Sequence, residues 1–143
     1  MEPQVFTLGY EGRSLSEVLE IVRTRGIELV LDVRENAQSR KVGFDSVSLE
    51  AALSGIGVRY AHLPELGCEP TSRHALWRGG AATAFLEGYR RRLSERPQAV
   101  DDLVDRVRRS RTLLLCLERD ASRCHRAVLD ERLRQEGFAV ESI

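Results

Sequence analysis

The sequence has almost no lysine, no net charge and no long apolar run. Lys41 is the single lysine among 22 basic residues, and 22 acidic residues balance them. No overall field therefore drives the protein onto nucleic acid or an anionic membrane, and nucleic-acid binding is expected to be local and weak. No run approaches the roughly 18 apolar residues of a membrane span, so we expect no membrane partner.

Cysteine is scarce as well. Cys68, Cys116 and Cys124 make an odd count without a disulfide framework, which suits a reducing compartment. No secretory signal is recognisable before the first apolar run, and we therefore expect a cytoplasmic protein with free thiols. Neither C-x2-C nor H-x3-H zinc spacing occurs. We expect no metal and no resident cofactor.

What the sequence does contain is an ordinary globular composition. Apolar residues make up 42% of the 143 residues and charged residues 31%, a balance that folds rather than stays disordered. A chain of this length can bury roughly 70% of the surface that its unfolded form exposes. We predict a single domain over residues 1–143.

Five apolar or β-rich runs predict strands. They are Val5–Leu8, Leu29–Arg34, Val58–Leu63, Thr112–Leu117 and Phe138–Ile143. Segments with helical periodicity lie between most of these runs. Strands that alternate with helices predict a three-layer α/β fold, in which helices cover both faces of a mostly parallel sheet of about five strands.

Local signals place the helices. Ser14 with Glu17 forms a capping-box pattern, and Ser46 or Ser48 is expected to cap a second helix. Ala84–Leu93 and Ala99–Val107 are helical in pattern, with Pro97 breaking them apart. Two further segments complete the description: a long loop over Gly67–Ala82, and a turn over Asp120–Ser122 that caps a last helix carrying Cys124.

Ligands of open parallel sheets bind beyond the carboxyl ends of the strands. The turn after the first strand runs from Gly9 to Ser14 and contains Tyr10 and Arg13. Its glycines permit a tight turn whose amides precede a helix, which can hold an anion, although simple turn geometry explains them too. Tyr10 and Arg13 are therefore candidate ligand-binding residues.

Charged residues also follow the second and third strands. Asp32 and Arg34 alternate onto one face, where they form either a ligand site or a buried structural ion pair. Arg40 lies in the basic loop that follows, and His62 ends the third strand as a ligand contact or a hydrogen-bonded structural residue. We take all four as candidate substrate-binding residues.

The densest polar cluster runs from Cys116 to Arg126. A cysteine near a helix start can have a lowered pKa, so Cys124 is a candidate nucleophile. His125 and Glu118 are candidates for proton transfer, and Arg126 for holding a phosphate or carboxylate. The alternative is that the cysteine and histidine only pack and form hydrogen bonds.

These motifs together resemble the domain of unknown function 488 family. The matching elements are Thr7 with Gly9–Ser14, Asp32–Arg34, Ser39-Arg40 with Gly43-Phe44, Tyr60 with His62–Pro64 and Leu66-Gly67, Cys116, Glu118, and Cys124–Arg126. Their order and spacing extend over nearly the whole chain. The resemblance implies the α/β fold described above and no particular activity.

Two functions remain open on the sequence. The first is an enzyme acting on a small phosphorylated or nucleotide-like compound, held by arginines at the strand ends and attacked or protonated by Cys124, His125 or Glu118. The second is a non-catalytic module that binds a small ligand or a nucleic-acid end in the same crevice. The order of the strands and the oligomeric state are not encoded in any pattern that we recognise.

Overall fold

A computed structural model describes residues 4–68, 82–119 and 124–143 of the chain. All five predicted strands are present in it. They are β1 (Val5–Gly9), β2 (Leu29–Asp32), β3 (Arg59–His62), β4 (Thr112–Cys116) and β5 (Val140–Ser142). The predicted turn over residues 120–122 and most of the predicted loop after Gly67 lie outside the described residues.

The strands form one parallel sheet in the order β3-β2-β4-β1-β5. Its centre is β4, which pairs with β2 on one side and with β1 on the other. The chain leaving β2 returns at one edge of the sheet, and the chain leaving β4 returns toward the opposite edge. A crevice is expected between the carboxyl ends of two neighbouring strands whose connections diverge in this way.

Helices cover both faces of the sheet. They are α1 (Leu15–Thr24), α2 (Ser46–Ser54), α3 (Ala82–Ser94), α4 (Pro97–Arg109) and α5 (Arg126–Gln135), with a short 3-10 turn over Pro64–Leu66. One apolar core joins α1 and α2 to the sheet, and a second core joins α3, α4 and α5 to the other face. The predicted three-layer α/β fold is confirmed.

Capping explains where α1 and α2 begin. The Ser14 side chain accepts a hydrogen bond from the backbone N–H of Glu17, as the capping-box pattern predicted. The predicted cap of α2, Ser46 or Ser48, is wrong, because the observed cap is Asp45. Asp45, and not Ser46 or Ser48, accepts from the N–H of Ser48, because its carboxylate satisfies an orphan donor at the helix start.

The ends of the other helices also follow from local chemistry. Pro97 is the first residue of α4, so it separates two helices as predicted, in the position where its missing N–H costs least. Cys124 was predicted to lie within the last helix, but α5 begins only at Arg126. Cys124 and His125 precede the helix, in a turn whose Cys124 carbonyl accepts from the N–H of Ala127.

Across the described residues, no helix combines the length and the apolar character that crossing a membrane requires.

Candidate functional site

A pocket of about 430 Å³ opens at the carboxyl ends of the three central strands. It is bordered by the turns after β1 and β4 and by the loop after β2. The residues lining it are Tyr10, Glu11, Gly12, Arg34, Asn36, Gln38, Ser39, Arg40, Lys41 and Leu117. This is the crevice that the divergent connections of β2 and β4 predict, and we call it the carboxyl-end pocket.

Cationic side chains dominate the charge of this pocket. Arg34, Arg40 and Lys41 line it together with one carboxylate, Glu11. Arg40 is exposed and Lys41 is half-buried, with its ammonium donating to the Tyr10 carbonyl oxygen at 3.3 Å. Neutral hydrogen-bonding side chains make up most of the remaining wall, together with Gly12 and Leu117. Such a lining is suited to a small anion that also offers hydrogen-bond partners.

Two glycines shape the wall that β1 contributes. A Cβ atom on Gly9 would lie only 1.7 Å from the backbone oxygen of Glu118, so only glycine lets the turn after β4 approach this closely. Gly12 has a φ of +75°, a left-handed conformation that glycine adopts without strain. These positions explain structurally why the turn after β1 contains glycine.

Asp32 and Arg34 form a buried ion pair beneath the pocket. Arg34 Nε donates to Asp32 Oδ1 at 2.7 Å, and a second guanidinium nitrogen donates to Oδ2 at 2.5 Å. The remaining terminal nitrogen donates to the Tyr10 hydroxyl oxygen and to the Phe44 carbonyl oxygen. The structural role that the sequence left open for this pair is therefore present, and most donors of Arg34 are engaged within the protein.

β3 adds two polar side chains to this cluster. The Tyr60 hydroxyl donates to Asp32 Oδ2 at 2.5 Å. Burial and the neighbouring Asp32 carboxylate raise the pKa of Tyr60, so it stays a hydrogen-bond donor at neutral pH. His62 Nε2 donates to the Arg34 carbonyl oxygen at 2.6 Å. Both residues hold the end of β2 in place.

A second polar cluster lies on the opposite face of the sheet, packed among α3, α4 and α5. The Sγ atoms of Cys116 and Cys124 lie 2.7 Å apart. Arg126 Nε donates to these sulfurs at 3.3 and 3.4 Å, and Arg126 Nη2 donates to the Glu118 carbonyl oxygen. Arg126 has no exposed surface, and both cysteines are also buried. We call Cys116, Cys124, His125 and Arg126 the thiol cluster.

The two sulfurs of the thiol cluster differ in acidity. Burial raises the pKa of Cys116, and its hydrogen bond with Cys124 raises it further. Burial also raises the pKa of Cys124, but the Cys116 hydrogen bond and the Arg126 charge outweigh burial and bring it below its ordinary value. Cys124 is therefore the sulfur that ionises first.

His125 joins the thiol cluster to the end of β2. Its Nε2 donates to the Val33 carbonyl oxygen at 2.7 Å, and its Nδ1 lies 3.7 Å from Cys124 Sγ. Burial lowers the pKa of His125, whereas a hydrogen bond with Cys68 and the Cys116 sulfur raise it, and the balance is upward. The ring is therefore placed to hold a proton beside a thiolate.

The thiol cluster also contains three donor atoms suited to a metal ion. The donor atoms of Cys116, Cys124 and His125 lie within 4.8 Å of one another, and all three residues are buried. Sequence spacing did not indicate this group. Cys116 ends β4, whereas Cys124 and His125 lie in the turn before α5, and only the fold brings them together. The expectation of no metal stays a prediction.

The ten predicted site residues divide between these two places. Tyr10, Arg34 and Arg40 line the carboxyl-end pocket, whereas Asp32 and His62 support it from beneath. Arg13 does not line the pocket, and its buried Nε has no hydrogen-bond partner among the described atoms. The other four residues are Glu118, Cys124, His125 and Arg126, and none of them lines the pocket.

Sequence reasoning did not select Lys41, which lines the pocket, and it missed Tyr60 and Asp130. Tyr60 shares a strand face with His62, and a period-2 reading could have placed it there, but only the pairing of β3 with β2 shows that it meets Asp32. Asp130 is buried four residues after Arg126 on α5. Burial raises its pKa to about 6, even though the Arg126 charge lowers it.

Comparison with known proteins gives a family and no close relative. No curated protein and no solved structure matches the chain. Residues 14–133 match a family described as Domain of unknown function DUF488. This span includes α1 through most of α5, and with them all the predicted site residues except Tyr10 and Arg13. The chain belongs to the DUF488 family.

Proposed function

We propose that this protein binds a small phosphorylated or nucleotide-like anion in the carboxyl-end pocket. The observation that carries the proposal is the pocket of about 430 Å³ lined by Arg34, Arg40 and Lys41 at the divergence of β2 and β4. Its size is in the range of small-ligand pockets, and its position is the one where open parallel sheets bind ligands.

The three cations differ in what they offer to an anion. Arg34 is 3% exposed and already paired with Asp32, so its charge is largely balanced and few of its donors are available. Arg40 is exposed, and the Lys41 ammonium donates one hydrogen bond within the described part of the chain, to the Tyr10 carbonyl oxygen. Arg40 and Lys41 therefore carry the direct contacts with the ligand, and Arg34 fixes the floor beneath them.

An enzymatic function is the second candidate, supported by the lowered pKa of Cys124 beside His125. A nucleophile must come within reach of the bound substrate. Because Cys124 and His125 lie on the other face of the sheet from the pocket lining, the geometry favours binding over chemistry on the same ligand. We hold Cys124, His125 and Glu118 as the candidates if catalysis occurs.

The remaining partners and the location follow from charge and cysteine content. We propose that nucleic acid binds weakly at physiological salt, because 22 basic and 22 acidic residues leave no excess charge to neutralise a run of phosphates. We also propose a cytoplasmic location, where the three buried free cysteines remain reduced.

Thermal unfolding in inorganic phosphate tests the binding proposal. At a millimolar Kd, a hundredfold excess of phosphate adds about 2.7 kcal/mol to the free energy of unfolding. The melting temperature should then rise by several degrees above that in chloride of equal ionic strength. The double variant Arg40→Gln/Lys41→Gln should lose most of this rise.

The control is a double variant with the same change of charge elsewhere. Arg91 on α3 and Arg109 on α4 are exposed and do not line the pocket. Arg91→Gln/Arg109→Gln should keep the full rise, since phosphate also stabilises proteins generally by exclusion from their surface. Equal rises in the two double variants would contradict an anion site in the pocket.

A further inference from the structure

The thiol cluster brings two cysteines into contact around one buried guanidinium. Cys116 ends β4 and Cys124 lies in the turn before α5, so the two sulfurs meet only in the folded chain. Arg126 Nε donates to both, and all three side chains are at most 3% exposed. A buried guanidinium needs a negative partner. Its Nε contacts the pair of sulfurs, and its charge also acts on the buried Asp130 carboxylate four residues later.

The pair is chemically asymmetric in the way that thiol oxidation requires. One sulfur must attack as a thiolate, and the other must keep its proton until it resolves the first product. The Cys116 hydrogen bond and the Arg126 charge favour the thiolate at Cys124, whereas burial keeps Cys116 protonated. His125 Nδ1, 3.7 Å from Cys124 Sγ, completes the arrangement as a proton donor.

One donor of the cluster has no partner among the described residues. Arg126 Nη1 is buried and makes no hydrogen bond to any described atom, although the same guanidinium contacts both sulfurs through Nε. An unused donor beside a thiolate is placed to bind an oxygen atom that gains negative charge there. This observation points to a small oxygen-containing reactant at Cys124.

A zinc site is the competing interpretation of the same residues. The guanidinium of Arg126 contacts both sulfurs, and its positive charge would repel a divalent cation. This charge favours a dithiol over a metal ligand set.

We propose that Cys116 and Cys124 form a redox-active dithiol that reduces hydrogen peroxide and closes to an intramolecular disulfide. The Cys124 thiolate attacks one peroxide oxygen, the O–O bond breaks, and the departing hydroxide takes a proton from His125 to leave as water. The Cys116 thiol then attacks the Cys124 sulfenic acid, and a second water leaves with the Cys116 proton. A small dithiol reductant restores both thiols by exchange.

This activity does not depend on the carboxyl-end pocket. The thiol cluster packs among α3, α4 and α5, whereas the pocket residues Tyr10 and Arg34 contact the core on the α1 and α2 face. Because Cys116 and Cys124 are almost completely buried, a compact peroxide suits the site better than a bulky protein disulfide. Loss of phosphate binding would leave the proposal intact.

Peroxide treatment of the reduced full chain tests the proposal. The protein is exposed to hydrogen peroxide, its remaining thiols are alkylated, and its peptides are mapped by mass. We expect a Cys116–Cys124 disulfide with Cys68 still a thiol, and dithiothreitol should restore all three thiols. The disulfide should form at least about tenfold faster than in the chain unfolded in urea, because only the fold stabilises the Cys124 thiolate.

Single substitutions assign the two sulfurs. Cys124→Ser should abolish the fast reaction, whereas Cys116→Ser should stop at a sulfenic acid on Cys124 that dimedone traps. Cys68→Ser removes the third buried cysteine and should still form the Cys116–Cys124 disulfide, although losing the Cys68 hydrogen bond to His125 should slow it. Circular dichroism establishes that each variant is folded.

Two results on the unsubstituted protein would overturn the proposal. In the first, Cys116 and Cys124 survive peroxide as thiols, or react no faster than in the unfolded chain. In the second, elemental analysis finds one zinc ion for each purified chain and chelation is needed before either thiol reacts. Both results are obtained with the unsubstituted protein, so neither depends on whether a variant folds.

Discussion

Arg34 lies against Asp32 in a two-point ion pair that is almost completely withdrawn from water. Two guanidinium nitrogens of Arg34 donate to the two carboxylate oxygens of Asp32, and the side chains are 3% and 0% exposed. The backbone N–H of Arg34 and the Tyr60 hydroxyl also donate to this carboxylate. The pair therefore ties the end of β2 to β3 and forms the floor of the carboxyl-end pocket.

Asp32→Asn should destabilise the fold strongly, because it leaves the Arg34 charge buried without its partner. Removing one member of a buried ion pair costs about 3–5 kcal/mol. Urea unfolding measures the loss. Asp102→Asn is the control, since Asp102 pairs with Arg106 on the surface of α4 and such pairs contribute under about 1 kcal/mol. Equal losses of unfolding free energy in Asp32→Asn and Asp102→Asn would contradict a buried ion pair at Asp32.

Asp130 should make the protein less stable as pH rises from about 4 to 6. Burial raises its pKa to about 6, so in this range the folded chain binds the proton more tightly than the unfolded chain does. Stability then falls with rising pH, by an upper limit of about 3 kcal/mol for a shift of this size. Urea unfolding at several pH values measures the slope.

Asp130→Asn should flatten that slope, because the amide does not ionise. Glu131→Gln is the neighbouring control, since it removes a carboxylate from the exposed side of the same helix and should leave most of the slope in place. A slope that persists unchanged in Asp130→Asn would show that the pH dependence arises elsewhere.

Much of the fold could be predicted from local patterns. The fully buried strands β2 and β4 appear as continuous apolar runs, which parallel strands covered on both faces require. Ser14 and Pro97 fixed two helix starts through backbone chemistry that acts within a few residues. The order of the strands was not predictable, because it depends on long-range contacts between the helices and the two faces of the sheet.

The site was harder to predict because contact across strands determines it. Sequence alternation correctly placed Asp32 and Arg34 on one face, but it could not show that they pair with each other beneath the pocket. Arg126 was grouped with the ligand-binding arginines because it lies near a helix start. The structure buries it against Cys116 and Cys124 instead, an arrangement that no spacing rule encodes.

Cys124 should be the cysteine that iodoacetamide labels fastest at neutral pH. The Cys116 hydrogen bond and the Arg126 charge lower its pKa below the ordinary thiol value, against the effect of burial, and the thiolate is the reactive form. Peptide mass mapping ranks it against Cys116 and Cys68. Faster labelling of Cys116 than of Cys124 would show that Cys116 has the lower pKa, which would contradict the description above.

The central claim is that the carboxyl-end pocket binds a small anion, and the most direct measurement is a ¹H–¹⁵N NMR titration of the full chain with inorganic phosphate. Gly12, Ser39, Arg40 and Lys41 line the pocket, so their amides report on binding there. We predict that they shift together and saturate with a millimolar Kd, while amides on the outer surface of α4 do not follow the same curve. If these four amides remain unshifted at about 100 mM phosphate, a hundredfold excess over such a Kd, the pocket is not an anion site.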